Sequence, residues 1–364
     1  MDFKGFFNKI KEDASKVINE TINDIQHEFS QPQNKPDSSG GVSSELNDVA
    51  SSSDTIEQTS GVPVTRSVPS IDERSDEKSD LDERSLEAIS KATCMQLKMH
   101  TSVNAVKVKL IDNSPDIFES KFGGLPYLPS EGEIPRDEDG YALRFLAQID
   151  CAKLASVKSY MWDLNFQVIE NFPQTGILQF WIAQNHAWGL DKKKGSKVIW
   201  YEKVDFNVTS DQVKTKLEAA PNPIDINDDF PVHGEFGVEF IATNDSIPAC
   251  DVRFASLFTN EFNRQTWGKP IKHPDELGDY IGEKIWEEMC SSGNKIGGYP
   301  GFTQCDPRSE DDDRTILLLQ LDSECEDGES HMMWGDLGMC VFLCSADQLK
   351  ERNFSNVLYH WDCG

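Results

Sequence analysis

Two short stretches carry groups suited to capturing an anion. Lys121-Phe122-Gly123-Gly124-Leu125-Pro126 returns as Lys295-Ile296-Gly297-Gly298-Tyr299-Pro300. Paired glycines allow positive φ, so their successive amides can form a concave nest, to which Lys121 or Lys295 would add a full charge. The plainer reading is a tight turn feeding an edge strand, with each proline holding Leu125 or Tyr299 extended. Neither stretch is a G-x-x-x-x-G-K-[ST] loop or a G-x-G-x-x-G turn, so nucleotide binding is not indicated.

Gln148 and Asp150, and again Gln320 and Asp322, stand at i and i+2 near the end of an apolar strand, hence on one face. Two such pairs converging in a cleft could do acid–base work if their pKa values were split; strand-end caps and turn formers are the alternative. Trp334-Gly335-Asp336 offers an aromatic beside an acid, which suits a pocket wall or a corner plug. Asp306, Glu310, Asp311, Asp312 and Asp313, then Asp322, Glu324, Glu326, Asp327 and Glu329, form acidic loops on either side of one strand. Calcium is the metal such oxygens suit, yet no D-x-D-x-D-G loop with its distant glutamate is present, so no metal site is assigned. The seven histidines and nine cysteines show no zinc spacing, and neither G-x-S-x-G nor C-x-x-C occurs. No catalytic residue and no cofactor is assigned on these grounds.

The elements that position these residues come in two similar sets. Lys295 lies 174 residues after Lys121, and Gln320 lies 172 after Gln148. Gly176-Ile177-Leu178-Gln179-Phe180-Trp181-Ile182 matches Gly338-Met339-Cys340-Val341-Phe342-Leu343 more loosely. Two units of this size suggest one globular body of two halves, approximately 100–230 and 231–364, rather than a solenoid. If a pseudo-twofold relates them, Lys121, Gly123, Gly124, Gln148, Asp150, Lys295, Gly297, Gly298, Gln320, Asp322, Trp334 and Asp336 would line a cleft between the halves.

Strands are expected at Val106–Leu110, Leu143–Asp150, Ile177–Ile182, Lys197–Tyr201, Phe236–Ala242, Ile316–Asp322 and Met339–Cys344. Helices are expected at Ser85–Lys98, after Pro274 (Leu277, Ile281, Ile285, Met289), and behind the capping boxes Thr209-x-x-Gln212 and Ser345-x-x-Gln348. Strands and helices are interspersed without βα alternation, which predicts α+β: mixed or antiparallel sheets with flanking helices.

Ahead of this domain, expected at 85–364, residues 3–29 show an amphipathic stripe that includes Phe3, Phe7, Ile10, Val17, Ile18 and Ile25. It suits contact with a membrane surface, a partner or the protein's own core, and its acidic second half, which anionic lipid would repel, favours docking on a partner or the core. Residues 30–84 hold thirteen serines and no aromatic, the composition of a disordered linker. The chain carries 63 acidic against 35 basic residues, a formal charge of −28, of which 85–364 holds −19. That balance argues against nucleic acid and suits a basic protein partner. The nine cysteines, lacking a framework spacing, predict a reduced, cytoplasmic protein with most thiols in the core.

The ordered set Lys121–Pro126, Phe145–Asp150, Gly176–Phe180, Lys295–Pro300, Phe302–Arg308, Leu317–Ser323, Trp334–Asp336 and Phe354–Tyr359 resembles the YwqG-like family, a bacterial domain of unknown function. The resemblance spans about residues 95–363. It implies an α+β fold with internal duplication and, because members are often encoded beside secreted toxins and their immunity proteins, an immunity-like or accessory role with a toxin-like partner. It transfers no catalytic residues. The reading is a non-enzymatic binding module with an acidic face. The alternatives are an enzyme or small-molecule binder in the inter-repeat cleft, or a peripheral membrane adaptor acting through 3–29.

Overall fold

Asp82 accepts the Ser85 amide and so caps α1, Glu83–His100, two residues earlier than the apolar stripe alone predicts. The computed structural model describes residues 81–158, 167–221, 230–326 and 329–364, with the side chains of 326 and 329 left aside. The amphipathic segment at 3–29 and nearly all of the linker expected at 30–84 lie outside them.

Ten strands form one sheet. In chain order they are β1 (Val103–Ile111), β2 (Lys121–Gly123), β3 (Arg144–Asp150), β4 (Ile177–Ile182), β5 (Ser196–Tyr201), β6 (Glu235–Asp245), β7 (Lys295–Gly297), β8 (Ile316–Asp322), β11 (Met339–Cys344) and β12 (Leu358–Asp362). A separate hairpin, β9 (Glu324–Glu326) with β10 (Glu329–Met332), precedes β11. The sheet order is β12-β11-β8-β7-β1-β6-β2-β3-β4-β5. Every pairing within it is antiparallel, so the mixed alternative is set aside.

Outward from the central pair β1–β6, each side runs in chain order, β7, β8, β11, β12 one way and β2, β3, β4, β5 the other. Lys121 pairs with Gln148 on one side, and Lys295 with Gln320 on the other. Between β3 and β4 the register slips between Phe145 and Ala147; between β8 and β11 it slips where Phe342 faces Leu319 and Leu343 faces Leu317. Such bulges bend a sheet and raise its twist. The nearly barrel-shaped curl brings Phe180 of β4 against Phe342 of β11, with ring centroids 4.9 Å apart. The inner face buries Phe122, Leu146, Ile149, Leu178, Ile296, Leu319 and Leu321 around that pair.

The remaining helices are α2 (Cys151–Ala155), α3 (Ser210–Glu218), α4 (Phe254–Gln265), α5 (Asp279–Glu288) and α6 (Ala346–Lys350). Both capping boxes form with their reciprocal bonds, Thr209 with Gln212 on α3 and Ser345 with Gln348 on α6. Helices α1, α4 and α5 share a second core of Ile89, Leu97, Phe258, Phe262, Ile281 and Ile285. Phe254, Phe258 and Phe262 recur every four residues on α4, and burying each contributes about 2 kcal/mol.

Candidate functional site

Both glycine pairs adopt the left-handed backbone that the nest reading requires: φ is +65° and +71° at Gly123 and Gly124, and +73° and +72° at Gly297 and Gly298. The anion at each is the protein's own. Glu235, the first residue of β6, accepts from Lys121 Nζ at 2.8 Å and from the Leu125 amide. Asp245, the last residue of β6, accepts from Lys295 Nζ at 2.6 Å and from the Tyr299 amide at 2.9 Å. Lys121 is wholly buried and also donates to the Pro115 carbonyl. A buried ammonium persists only when so paired. The expected edge strands are instead interior: β2 lies between β6 and β3, and β7 between β1 and β8.

The two carboxylates stand at opposite ends of an eleven-residue strand, roughly 33 Å apart along it. Lys121 and Gln148 share the face opposite Phe122 and Ala147, and Lys295 and Gln320 the face opposite Ile296, Leu319 and Leu321. The residues expected to converge in a cleft form two separate clusters, and Phe180 packs against Phe342 inside the curl of the sheet. Gln148 accepts the Tyr127 amide and donates to the Ile117 and Glu119 carbonyls; Gln320 accepts the Gly301 amide and donates to the Gly293 carbonyl. Asp150 caps α2 through the Ala152 and Lys153 amides. Asp322 accepts the Gly293 amide at 2.6 Å, and burial pushes its carboxyl up against that bond, the Ser323 amide and Lys295. Trp334 is buried edge-on to Trp188, centroids 5.6 Å apart, while Asp336 is exposed in the turn beside Gly335.

The first acidic loop is partly self-neutralised. Arg308 binds Asp306 and Asp251, and Arg314 binds Asp312. Glu310, Asp311 and Asp313 remain exposed. Among the described residues, no group of three or more His, Cys, Asp and Glu side chains is placed to hold a metal ion. Of the nine thiols, Cys94, Cys151, Cys340 and Cys344 are buried, whereas Cys290, Cys305 and Cys325 are exposed, fewer in the core than expected. Burial pushes the Cys94, Cys151 and Cys344 thiols up to about 12, which makes them inert.

Sequence reasoning missed a cavity at the end of β2. A cavity of about 460 Å³ opens where β2 ends, between Gly123 and Gly124, the start of β3 (Arg144, Phe145) and residues Phe230, Val232 and Gly234. Ile134, Leu143 and Leu217 add apolar walls, with Gln184 as a polar group. The Arg144 guanidinium lies 4.2 Å from the Phe230 ring centroid. Six separate stretches of chain meet here, so no single local pattern signals the cavity. Of the expected site residues only Gly123 and Gly124 line it, and Lys121 anchors the strand behind them.

A domain model described as a domain of unknown function, DUF1963, matches residues 120–363, about two-thirds of the chain. The chain belongs to the DUF1963 family. The matched span runs from just before β2 to the end of β12, so it contains the cavity, both glycine pairs and all of the sheet except β1. No curated protein matches the chain. No helix among the described residues is long and apolar enough to cross a membrane.

Proposed function

We propose that this DUF1963 domain is a non-enzymatic binding module whose ligand seats in the cavity beyond β2. The cavity carries the reading: its volume falls in the range of ligand pockets, and its walls are apolar apart from Arg144, Gln184 and backbone groups. Such a lining holds and orients a ligand. The test is binding of anilinonaphthalene sulfonate, an apolar anion, by the full-length protein. Ala220→Trp and Leu217→Trp, each filling the cavity from α3 or its C-terminal end, should weaken saturable binding at least tenfold. Unchanged binding in both folded variants contradicts the reading.

We further propose that the body is an internal duplication and that its finer placement is the YwqG-like family. Supporting this are the matched strand order, the two carboxylate-filled glycine nests, the equivalent glutamine bonds and the matching register shifts. A second surface favours a basic protein partner. Glu310, Asp311 and Asp313 project from a loop stiffened by the Arg308 and Arg314 pairs, and the charge of −28 would steer such a partner inward.

A further inference from the structure

The walls of the cavity leave little main chain for a ligand to bond. The Leu143 amide bonds the Pro135 carbonyl and Arg136 bridges Ala142, so residues 134–136 lie along the start of β3. The Ala142 amide bonds the Pro221 carbonyl, which ties the chain leaving α3 to the same rim. Lys216 of α3 holds the loop before Ile134 through the carbonyls of Pro129, Ser130 and Gly132. Glu235 fills the Gly123–Gly124 nest and is balanced there by Lys121. What the cavity offers a ligand is therefore side chains.

Those side chains are hydrocarbon with two exceptions. Among the residues that line the cavity, Arg144 is the one charged group and Gln184 the one side-chain amide. Arg144 pairs with Ile182, and Gln184 follows two residues later, so both reach the cavity from adjacent strand ends. The Arg144 guanidinium lies over the Phe230 ring, which fixes its plane. It has further partners, and five N–H donors in a planar fork serve more than one. Gln184, half-buried, makes no side-chain hydrogen bond among the described residues. A guanidinium fork and an amide N–H both seek an acceptor, and a planar carboxylate fits the fork with two bonds. One cation balances one negative charge, and the excess of acidic residues, 63 against 35 basic, opposes a polyanion such as a nucleotide. An amine would meet Arg144 as a like charge. At about 30 Å³ for a water-sized group, the 460 Å³ has room for about fifteen non-hydrogen atoms.

We propose that the cavity binds a small organic monocarboxylate, an apolar body that carries a single carboxylate. The carboxylate meets Arg144 and the Gln184 amide, and the body lies on Ile134, Leu143, Leu217 and Phe230. This rests on the cavity being the binding site and adds the chemical class of its occupant.

Titration calorimetry of the full-length protein compares three matched probes: phenylbutyrate, its neutral amide phenylbutyramide, and the cation phenylbutylamine. Phenylbutyrate should bind at least tenfold tighter than either of the others, and Arg144→Gln should bring acid and amide within about twofold of each other. Equal binding of acid and amide by the native chain overturns the carboxylate. Tighter binding of the amine overturns the sign of the charge. A tenfold preference for the acid that survives in Arg144→Gln overturns Arg144 as the group that reads it. Binding of no probe, while anilinonaphthalene sulfonate still binds and is weakened by Ala220→Trp, overturns the inference and leaves the cavity reading standing. Dye binding unchanged in both tryptophan variants overturns the reading beneath it. The comparison of acid with amide uses the native chain and does not depend on any variant folding.

Discussion

Arg308 is the residue on which the most buried charge depends. Its guanidinium, nearly inaccessible, binds Asp306 at 2.7 Å and Asp251 at 3.2 Å, and Asp251 also takes the Arg253 fork. Removing one partner from such a cluster strands the others without water. Arg308→Ala should therefore destabilise the domain by about 3–5 kcal/mol in urea unfolding. Burial pushes the Asp251 carboxyl up, but the Arg253 hydrogen bonds and the Arg253 and Arg308 charges outweigh it and hold it below the ordinary value. Hydrogen bonds from Arg314 bring Asp312 down to about 2. Carboxyls held below their unfolded values contribute stability that is complete above about pH 4 and is lost as pH falls through the folded values. Between pH 4 and 2 the parent should lose stability steeply. Arg308→Ala should show a shallower acid limb; an equally steep one would remove Arg308 as a cause.

At the scale of elements, the glycine turns act through the carboxylates they enclose. A Cβ on Gly124 would lie 2.1 Å from Glu235 Oε1, and one on Gly298 would lie 2.3 Å from Asp245 Oδ2. Either substitution must expel the counter-ion of a buried lysine as well as strain the backbone. Gly124→Ala and Gly298→Ala should each cost about 3–5 kcal/mol. Gly140, at φ +88° with nothing within 4 Å of its Cβ position, isolates the strain, so Gly140→Ala should cost about 1–2 kcal/mol. Denaturant melts giving all three the same cost would show that φ alone matters.

Much at this scale was legible beforehand. β4, β8 and β11 have the bounds expected from unbroken apolar runs, and α3 and α6 follow their capping boxes. β2 and β7 were expected only as edge strands at the glycine turns because three residues carry no period, and β12, Leu-Tyr-His-Trp-Asp, lacks an apolar alternation. The phenylalanine stripe of α4 was present in the sequence and went unread. The lysines and glycines were visible as a repeat, but Glu235 stands 114 residues from Lys121. Nothing local links a lysine to a carboxylate that far away; sheet order alone does so.

For the whole molecule, the same strand brevity that defines the repeat also leaves the room for a ligand. β2 is short because Gly123 and Gly124 turn the chain toward Glu235, and the cavity opens at that turn. The strong negative charge would steer the proposed basic partner toward Glu310, Asp311 and Asp313. The central claim is that binding happens at the open end of β2. Hydrogen–deuterium exchange of the full-length protein, with and without anilinonaphthalene sulfonate, addresses it most directly. The account predicts slowed exchange confined to residues 121–125, 142–146 and 230–235. Protection centred on α1, α4 and α5, or none at those three segments when the dye is bound, would contradict it.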